Sequence, residues 1–93
     1  MYYATHRLYV SKNNPLGLHV VKVEQGRVHS FFPFDGERQS MLWADALLIS
    51  EDGTLSGISG TLDEVLDAAR PSEQGCYLYS IEKQKESFSL RPL

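Results

Sequence analysis

The chain has 93 residues, 42% of them hydrophobic and 23% charged, which is the composition of one folded domain over residues 1–93 rather than of a disordered chain. Nine Lys and Arg against twelve Asp and Glu give a net charge of −3, without the clustered basic residues that neutralise nucleic-acid phosphates. No run approaches the roughly 20 apolar residues that cross a bilayer. The N-terminus lacks the pattern of a signal peptide, and the lone cysteine, Cys76, is typical of a reducing compartment. We therefore expect a cytoplasmic protein with no membrane or nucleic-acid partner.

The first predicted strand is Tyr2–Val10, where aromatic and β-branched residues alternate with smaller or polar ones. Ser11–Pro15 ends it, because Asn-Pro favours a turn. A hairpin follows over Leu18–Phe34, since two apolar runs meet at the turn residues Gln25-Gly26. Pro33 cannot donate to a hydrogen-bond ladder, so we expect the second strand of this hairpin to lie at an edge of the sheet.

The middle of the chain is less regular in sequence. Gln39–Asp45 contains Met, Leu and Trp without strand alternation and is predicted as a short helical or irregular turn. Ala46–Ser50 predicts a fourth strand. Asp-Gly in Glu51–Thr54 is typical of a tight hairpin turn, which would make Leu55–Ile58 the return strand.

One helix is predicted over about 61–70. Thr61 and Glu64 have the spacing of a capping box, in which each side chain satisfies the other residue's backbone N–H. The apolar residues that follow share one helical face: Leu62, Val65, Leu66 and Ala69. Arg70 followed by Pro71 is typical of a helix end.

Two further strands complete the prediction, Cys76–Glu82 and Ser87–Arg91, joined by a charged turn. Together with the earlier segments they give a mostly β, α+β domain. It would contain six or seven short, mainly antiparallel strands and one short helix. The sequence leaves open a small sandwich or a partly open barrel.

The three histidines invite a metal hypothesis, because they lie on three successive predicted strands. Zinc needs three or four converging ligands, and alternation places His6 and His29 on different faces of their strands. His6 and His19 are the remaining candidates, and no HxH, HExxH or paired-cysteine motif supports them. No metal site is predicted from this pattern.

Other reactive side chains have simpler interpretations. Ser59 lies outside any G-x-S-x-G motif and belongs to the turn before the helix. Cys76 opens an aromatic strand, where a thiol is buried and inert. Asp63 and Asp67 share a helix face that is typical of a solvated surface. The residues therefore predict no catalytic group and no cofactor.

The aromatic segment Phe31–Phe34 is the best candidate for function. Alternation cannot place all three of its Phe side chains on one face, so we expect Phe31 to point away from the main core. It could be covered by Trp43 or by the helix, or it could remain exposed beside the edge strand. The predicted interaction surface consists of Phe31, Pro33, Phe34 and Trp43.

Five short segments in the first fifty residues carry a further pattern. They are His6–Val10, Leu18–Val23, Gly26–Val28, Phe32–Phe34 and, after Trp43, Leu47–Ile49. In this arrangement the chain resembles a group of short, uncharacterised bacterial proteins. It is also similar to the small β-domain that flanks the barrel in amidohydrolase-type metal-dependent hydrolases. The resemblance implies a β-fold with no chemistry of its own, because the HxH metal ligands of that family are absent here and its barrel needs at least about 200 residues.

These observations predict a non-enzymatic domain that acts through protein contacts, either as a homo-oligomer or as an accessory module of a larger chain. The alternative is a small-molecule-binding or hydrolase-related metal-dependent domain that uses His6 and His19. Ligand storage in a small barrel is a third possibility.

Overall fold

Seven strands form one mixed sheet in the computed structural model, which covers residues 1–93, and one helix accompanies it. The strands are β1 Tyr2–Tyr9, β2 His19–Glu24, β3 Arg27–Pro33, β4 Met41–Ser50, β5 Ser59–Gly60, β6 Tyr77–Gln84 and β7 Ser87–Pro92, and the helix α1 is Leu62–Ala69. Their order in the sheet is β3-β2-β1-β4-β6-β7-β5, and only β1 and β4 pair in parallel. The mostly β, α+β class with one short helix is therefore confirmed. The sheet is not closed into a barrel.

The β2–β3 hairpin has the predicted turn. Gln25 and Gly26 both have positive φ angles, 53° and 76°, as a two-residue turn that matches strand twist requires. Glu24 pairs with Arg27 on either side of it. The prediction for Pro33 is also confirmed, because β3 is an edge strand of the sheet and Pro33 is its last residue.

Strand β4 is longer than predicted. Met41–Asp45, expected to be a helical or irregular turn, instead forms the first half of a ten-residue strand, so that prediction is wrong. The reason is a long-range ladder: β4 pairs in parallel with β1 from Tyr2↔Met41 to Tyr9↔Leu48. Pairing with a strand distant in sequence outweighs the local preference.

The second predicted hairpin is also wrong, since Leu55–Ile58 forms no strand. Asp52 instead closes a local turn, because its carboxylate accepts from both the backbone N–H (2.8 Å) and the hydroxyl (2.6 Å) of Thr54. The short strand that follows, β5, pairs with β7 and not with β4.

The helix follows its sequence pattern. The Thr61 hydroxyl accepts from the Glu64 N–H at 3.2 Å, and the Glu64 carboxylate accepts from the Thr61 N–H at 2.8 Å. The helix ends at Arg70, which adopts the left-handed conformation with φ 50°. With eight residues, this helix is the only one, and no helix of the structure is long and apolar enough to cross a membrane.

Two groups of buried side chains form the core, because neighbouring residues of a strand point to opposite faces. The helix-side core consists of Tyr9, Ala46, Leu48, Leu66, Ala69, Tyr79 and Ile81. The hairpin-side core consists of Leu8, Val10, Val21, Leu47, Ile49 and Leu78. Strand β4 contributes to both, which places it at the centre of the domain.

Candidate functional site

Trp43 is the large aromatic side chain that the fold leaves most open. It lies in the first half of β4, where its backbone pairs with Ala4 of β1. Its side chain is 46% exposed. The rings of His6 and Phe34 lie against it, with centroid distances of 5.6 Å and 5.4 Å. We call His6, Phe34 and Trp43 the Trp43 surface.

The loop after β3 covers the neighbouring aromatic rings. The guanidinium of Arg38 lies over the rings of Tyr2 (5.1 Å) and Phe32 (4.8 Å) and donates to both carboxylate oxygens of Asp35 at 2.6 and 3.2 Å. These hydrogen bonds lower the pKa of Asp35 below its ordinary value. Tyr2 and Phe32 are thus stacked beneath a cation, whereas Trp43 has no such cover.

The four residues of the predicted interaction surface are only partly together. Phe34 contacts Trp43, and Pro33 is exposed at the end of the edge strand. Phe31 packs against the hairpin-side core, with the ring of His19 6.4 Å away. The expectation that Phe31 points away from the core is therefore wrong.

A β-bulge explains this reversal. Lys22 pairs with Ser30, but the next residue of β2, Val23, pairs with Val28, so His29 is an extra residue in β3. The extra residue shifts the alternation by one position, and Val28 and Phe31 both pack on the hairpin-side core. The Val28 N–H also donates to the Cys76 carbonyl at 2.8 Å, which joins the edge strand to the start of β6.

The structure does not bring the candidate metal ligands together. Thr5 pairs with His19, so His19 shares the face of Thr5 while His6 points to the opposite face. The Nδ1 atom of His19 is buried without a hydrogen-bond partner. His29 lies 3.5 Å from a carboxylate oxygen of Glu24. No three His, Cys, Asp or Glu side chains come together as a metal-binding group.

The remaining sequence candidates have structural partners. Asp67 on the helix pairs with Lys12 at 2.7 Å, and this hydrogen bond is the main cause of a raised Lys12 pKa. Cys76 is half-buried, and its carbonyl accepts from β3. Ser59 lies on the short strand β5, opposite Ser89.

The largest depression, about 660 Å³, lies beyond the end of β4, and all but one of its lining residues are polar, charged or glycine. The carboxylate of Asp52 in its wall already accepts hydrogen bonds from Thr54, and these bonds lower the pKa of Asp52 below its ordinary value. The one hydrophobic lining residue is Tyr77. The depression is formed mainly by the turn after β4, and its polar side chains do not converge on one point as they would in a binding site.

A cleft divides the sheet where β4 and β6 separate. The two strands pair only between Leu47–Ser50 and Tyr77–Ser80. Beyond Leu47 a space of about 420 Å³ lies between residues 43–45 of β4 and residues 80–84 of β6. Trp43 stands at the side of this space, so the Trp43 surface and the cleft are contiguous.

A smaller pocket of about 230 Å³ adjoins the cleft on the helix side. Its apolar walls are formed by Tyr9, Ala46, Leu62, Ile81 and Phe88. The charged residues Arg7, Asp45 and Lys83 complete its lining. Sequence reasoning missed the cleft and this pocket, and the change from apolar to charged residues after Ile81 was the only sign that β6 leaves the core there.

No family model matches this chain, and comparison with curated proteins and with solved structures found no match.

Proposed function

We propose that this chain is a non-enzymatic protein-binding module that contacts its partner through the Trp43 surface and the adjoining first half of β4. The observation that carries the proposal is the exposure of two large apolar neighbours on this strand, Leu42 at 49% and Trp43 at 46%. Because adjacent residues of a strand point in opposite directions, both faces of β4 present apolar area here. Trp is also among the residues that contribute most to protein interfaces.

The position of Trp43 favours binding over simple exposure. Its strand is held by a parallel ladder with β1 on both sides of Trp43, so the side chain loses little backbone freedom when a partner covers it. The rings of His6 and Phe34 contact the indole, and the side chain of Trp43 is still 46% exposed. A rigid, partly exposed aromatic side chain of this kind is suited to fill a partner's pocket.

The proposal includes the setting of the protein. The single cysteine supports a reducing, cytoplasmic location. The partner is another protein chain, a second copy of this one included. The likeness to domains that flank amidohydrolase barrels extends the proposal to an accessory module of a larger enzyme.

The test compares association of the wild-type chain with that of Trp43→Ser and of Glu73→Ser, a control at an exposed turn on another part of the surface. Each protein is used for affinity capture from lysate of its native source and is measured alone by light scattering. We expect the wild type and Glu73→Ser to associate with one chain near equal stoichiometry. The affinity of Trp43→Ser for that chain should be at least about tenfold lower. Circular dichroism and thermal unfolding confirm that the variants fold. Equal association of the wild type and Trp43→Ser, or no association at all, would overturn the proposal.

A further inference from the structure

The first half of β4 has an unpaired backbone edge. On one side, β1 pairs with β4 from Met41 to Leu48, but on the other side β6 pairs only from Leu47 onward. The backbone hydrogen bonds outside the helix and the sheet ladders do not involve residues 41–46. In a strand, the N–H and C=O groups of alternate residues point to the same side. The alternate residues of this segment that do not bond to β1 therefore direct their main-chain donors and acceptors away from β1, toward the side of the cleft.

Two like charges would oppose closure of the cleft by β6. Continued from Leu47↔Ser80, the antiparallel register would place Asp45 directly opposite Glu82. Like charges in directly opposed positions destabilise a strand pair. Glu82 instead accepts from the Arg91 guanidinium of β7 at 2.7 Å. Beyond Ser80, β6 continues its pairing with β7 alone.

We propose that the partner supplies an extended segment, which adds as a strand to the free edge of β4 and lies in the cleft between β4 and β6. This inference rests on the proposed binding function and specifies the chemistry of the partner. Unpaired edges recruit an extended chain because its main chain satisfies the free donors and acceptors, while pockets beside the edge select side chains.

The pocket beside the cleft defines those side chains. Its walls are apolar, so it accepts an aliphatic or aromatic side chain of the bound segment. Arg7 makes no ion pair, and the ammonium of Lys83 stacks on Phe88 without a carboxylate partner. With Asp45 as the only anion in the lining, the pocket carries an excess of positive charge. The segment that fits therefore combines an apolar residue with a neighbouring acidic one.

The test uses a displayed library of random twelve-residue peptides, selected on the full wild-type chain. Trp43 is the only tryptophan and lines the cleft, so its emission reports the binding of synthetic peptides that lack tryptophan. We expect the selection to enrich peptides that pair an apolar with an acidic residue. Lys83→Glu should weaken their binding at least tenfold. Lys85→Glu, with the same charge change in the adjoining turn and outside the cleft lining, should leave it unchanged.

N-methylation of alternate peptide amides tests the main-chain pairing directly. Methylation in one of the two alternate sets should abolish binding, because those N–H groups point at β4, while the other set tolerates it. No enrichment, no effect of Lys83→Glu, or tolerance of both methylated sets would overturn strand addition. So would a dimer of the pure protein whose β4 edges pair with each other. If a partner from lysate requires Trp43 for binding but is not displaced by the selected peptides, strand addition is refuted and the proposed function still stands.

Discussion

Ala44 of β4 and Lys83 of β6 stand where the β4–β6 register would pair them, yet the two strands stop pairing at Leu47 and Ser80. Both residues instead line the same cleft. The sheet therefore has unpaired strand edges between β4 and β6 as well as at its two outer strands.

Reversing the charge of Asp45 should close part of the cleft. In Asp45→Lys, the side chain opposite Glu82 carries a positive charge, so the interaction between the two positions changes from repulsive to attractive. A favourable cross-strand pair contributes about 0.2–1 kcal/mol. We expect slower hydrogen exchange of main-chain amides in residues 81–84 than in the wild type. Asp63→Lys, the same change on the exposed helix surface, is the control. Equal exchange in both variants would show that charge repulsion does not keep the strands apart.

Gly75→Ala should destabilise the fold strongly. A Cβ atom at Gly75 would lie 2.4 Å from the backbone carbonyl carbon and oxygen of Ser50, which cannot move without disturbing the end of β4. Forced overpacking of this kind costs about 1–3 kcal/mol of unfolding free energy. Urea unfolding measures it, with Gly17→Ala as the control because nothing lies within 4 Å of a Cβ there. A Gly75→Ala protein as stable as Gly17→Ala would contradict the packing at this turn.

Removal of the helix cap should cost less. Thr61→Ala deletes the hydroxyl that accepts from the Glu64 N–H, and loss of an N-cap costs about 1 kcal/mol of stability. The measurement is again urea unfolding, beside Ser56→Ala at an exposed position that makes no side-chain hydrogen bond. If the two variants unfold at the same urea concentration, the capping box does not stabilise the helix.

Tyr79 links the helix-side core to the turn after β4. It is 1% exposed, and its hydroxyl donates to the Asp52 carbonyl at 2.7 Å and accepts from the Leu55 N–H at 3.3 Å. Tyr79→Phe leaves both main-chain groups without a partner, which costs about 1–3 kcal/mol. Tyr77→Phe is the control, because the Tyr77 hydroxyl makes no hydrogen bond within the protein.

The same variant predicts a dependence on alkaline pH. Burial raises the pKa of Tyr79 above its ordinary value of 10.0, so the folded protein keeps this proton at a pH where the unfolded chain loses it. The stability that the neutral hydroxyl contributes is complete below pH 10.0 and falls as the pH rises through the folded pKa. Unfolding at about pH 8 and about pH 11 should therefore show a smaller gap between wild type and Tyr79→Phe at the higher pH. A gap that stays constant or widens would contradict this assignment.

Two local sequence patterns predicted local structure correctly, whereas the Asp-Gly pattern after β4 did not, because Asp52 closes its own turn with Thr54. The Gln25-Gly26 turn and the Thr61–Glu64 capping box depend on neighbours within a few residues, and both form as expected. The first half of β4 was assigned wrongly because its conformation depends on β1, which lies far away along the chain. The orientation of Phe31 was wrong because one extra residue, His29, shifts the alternation of β3.

The candidate site was anticipated only in its residue types. Phe34 and Trp43 were grouped from their aromatic character, and the structure places their rings in contact. Their role in binding stays a prediction. The cleft could not be foreseen, because it arises where two strands that pair at one end separate at the other. Sequence periodicity describes each strand alone and carries no information about where a pair of strands ends.

The parallel pairing of β1 with β4 also has a consequence for how the chain folds. The hairpins β2–β3 and β6–β7 each close over a two-residue turn, so they can form early and independently. The β1–β4 ladder joins Tyr2 to Met41, about forty positions apart, and must overcome the entropy of closing that loop. Non-local pairings of this kind slow folding. Because β1 links the first hairpin to β4 in the strand order, the hairpin joins the rest of the sheet through this slow, non-local ladder, and the hydrogen bond from Val28 to Cys76 is a second non-local contact between the two halves.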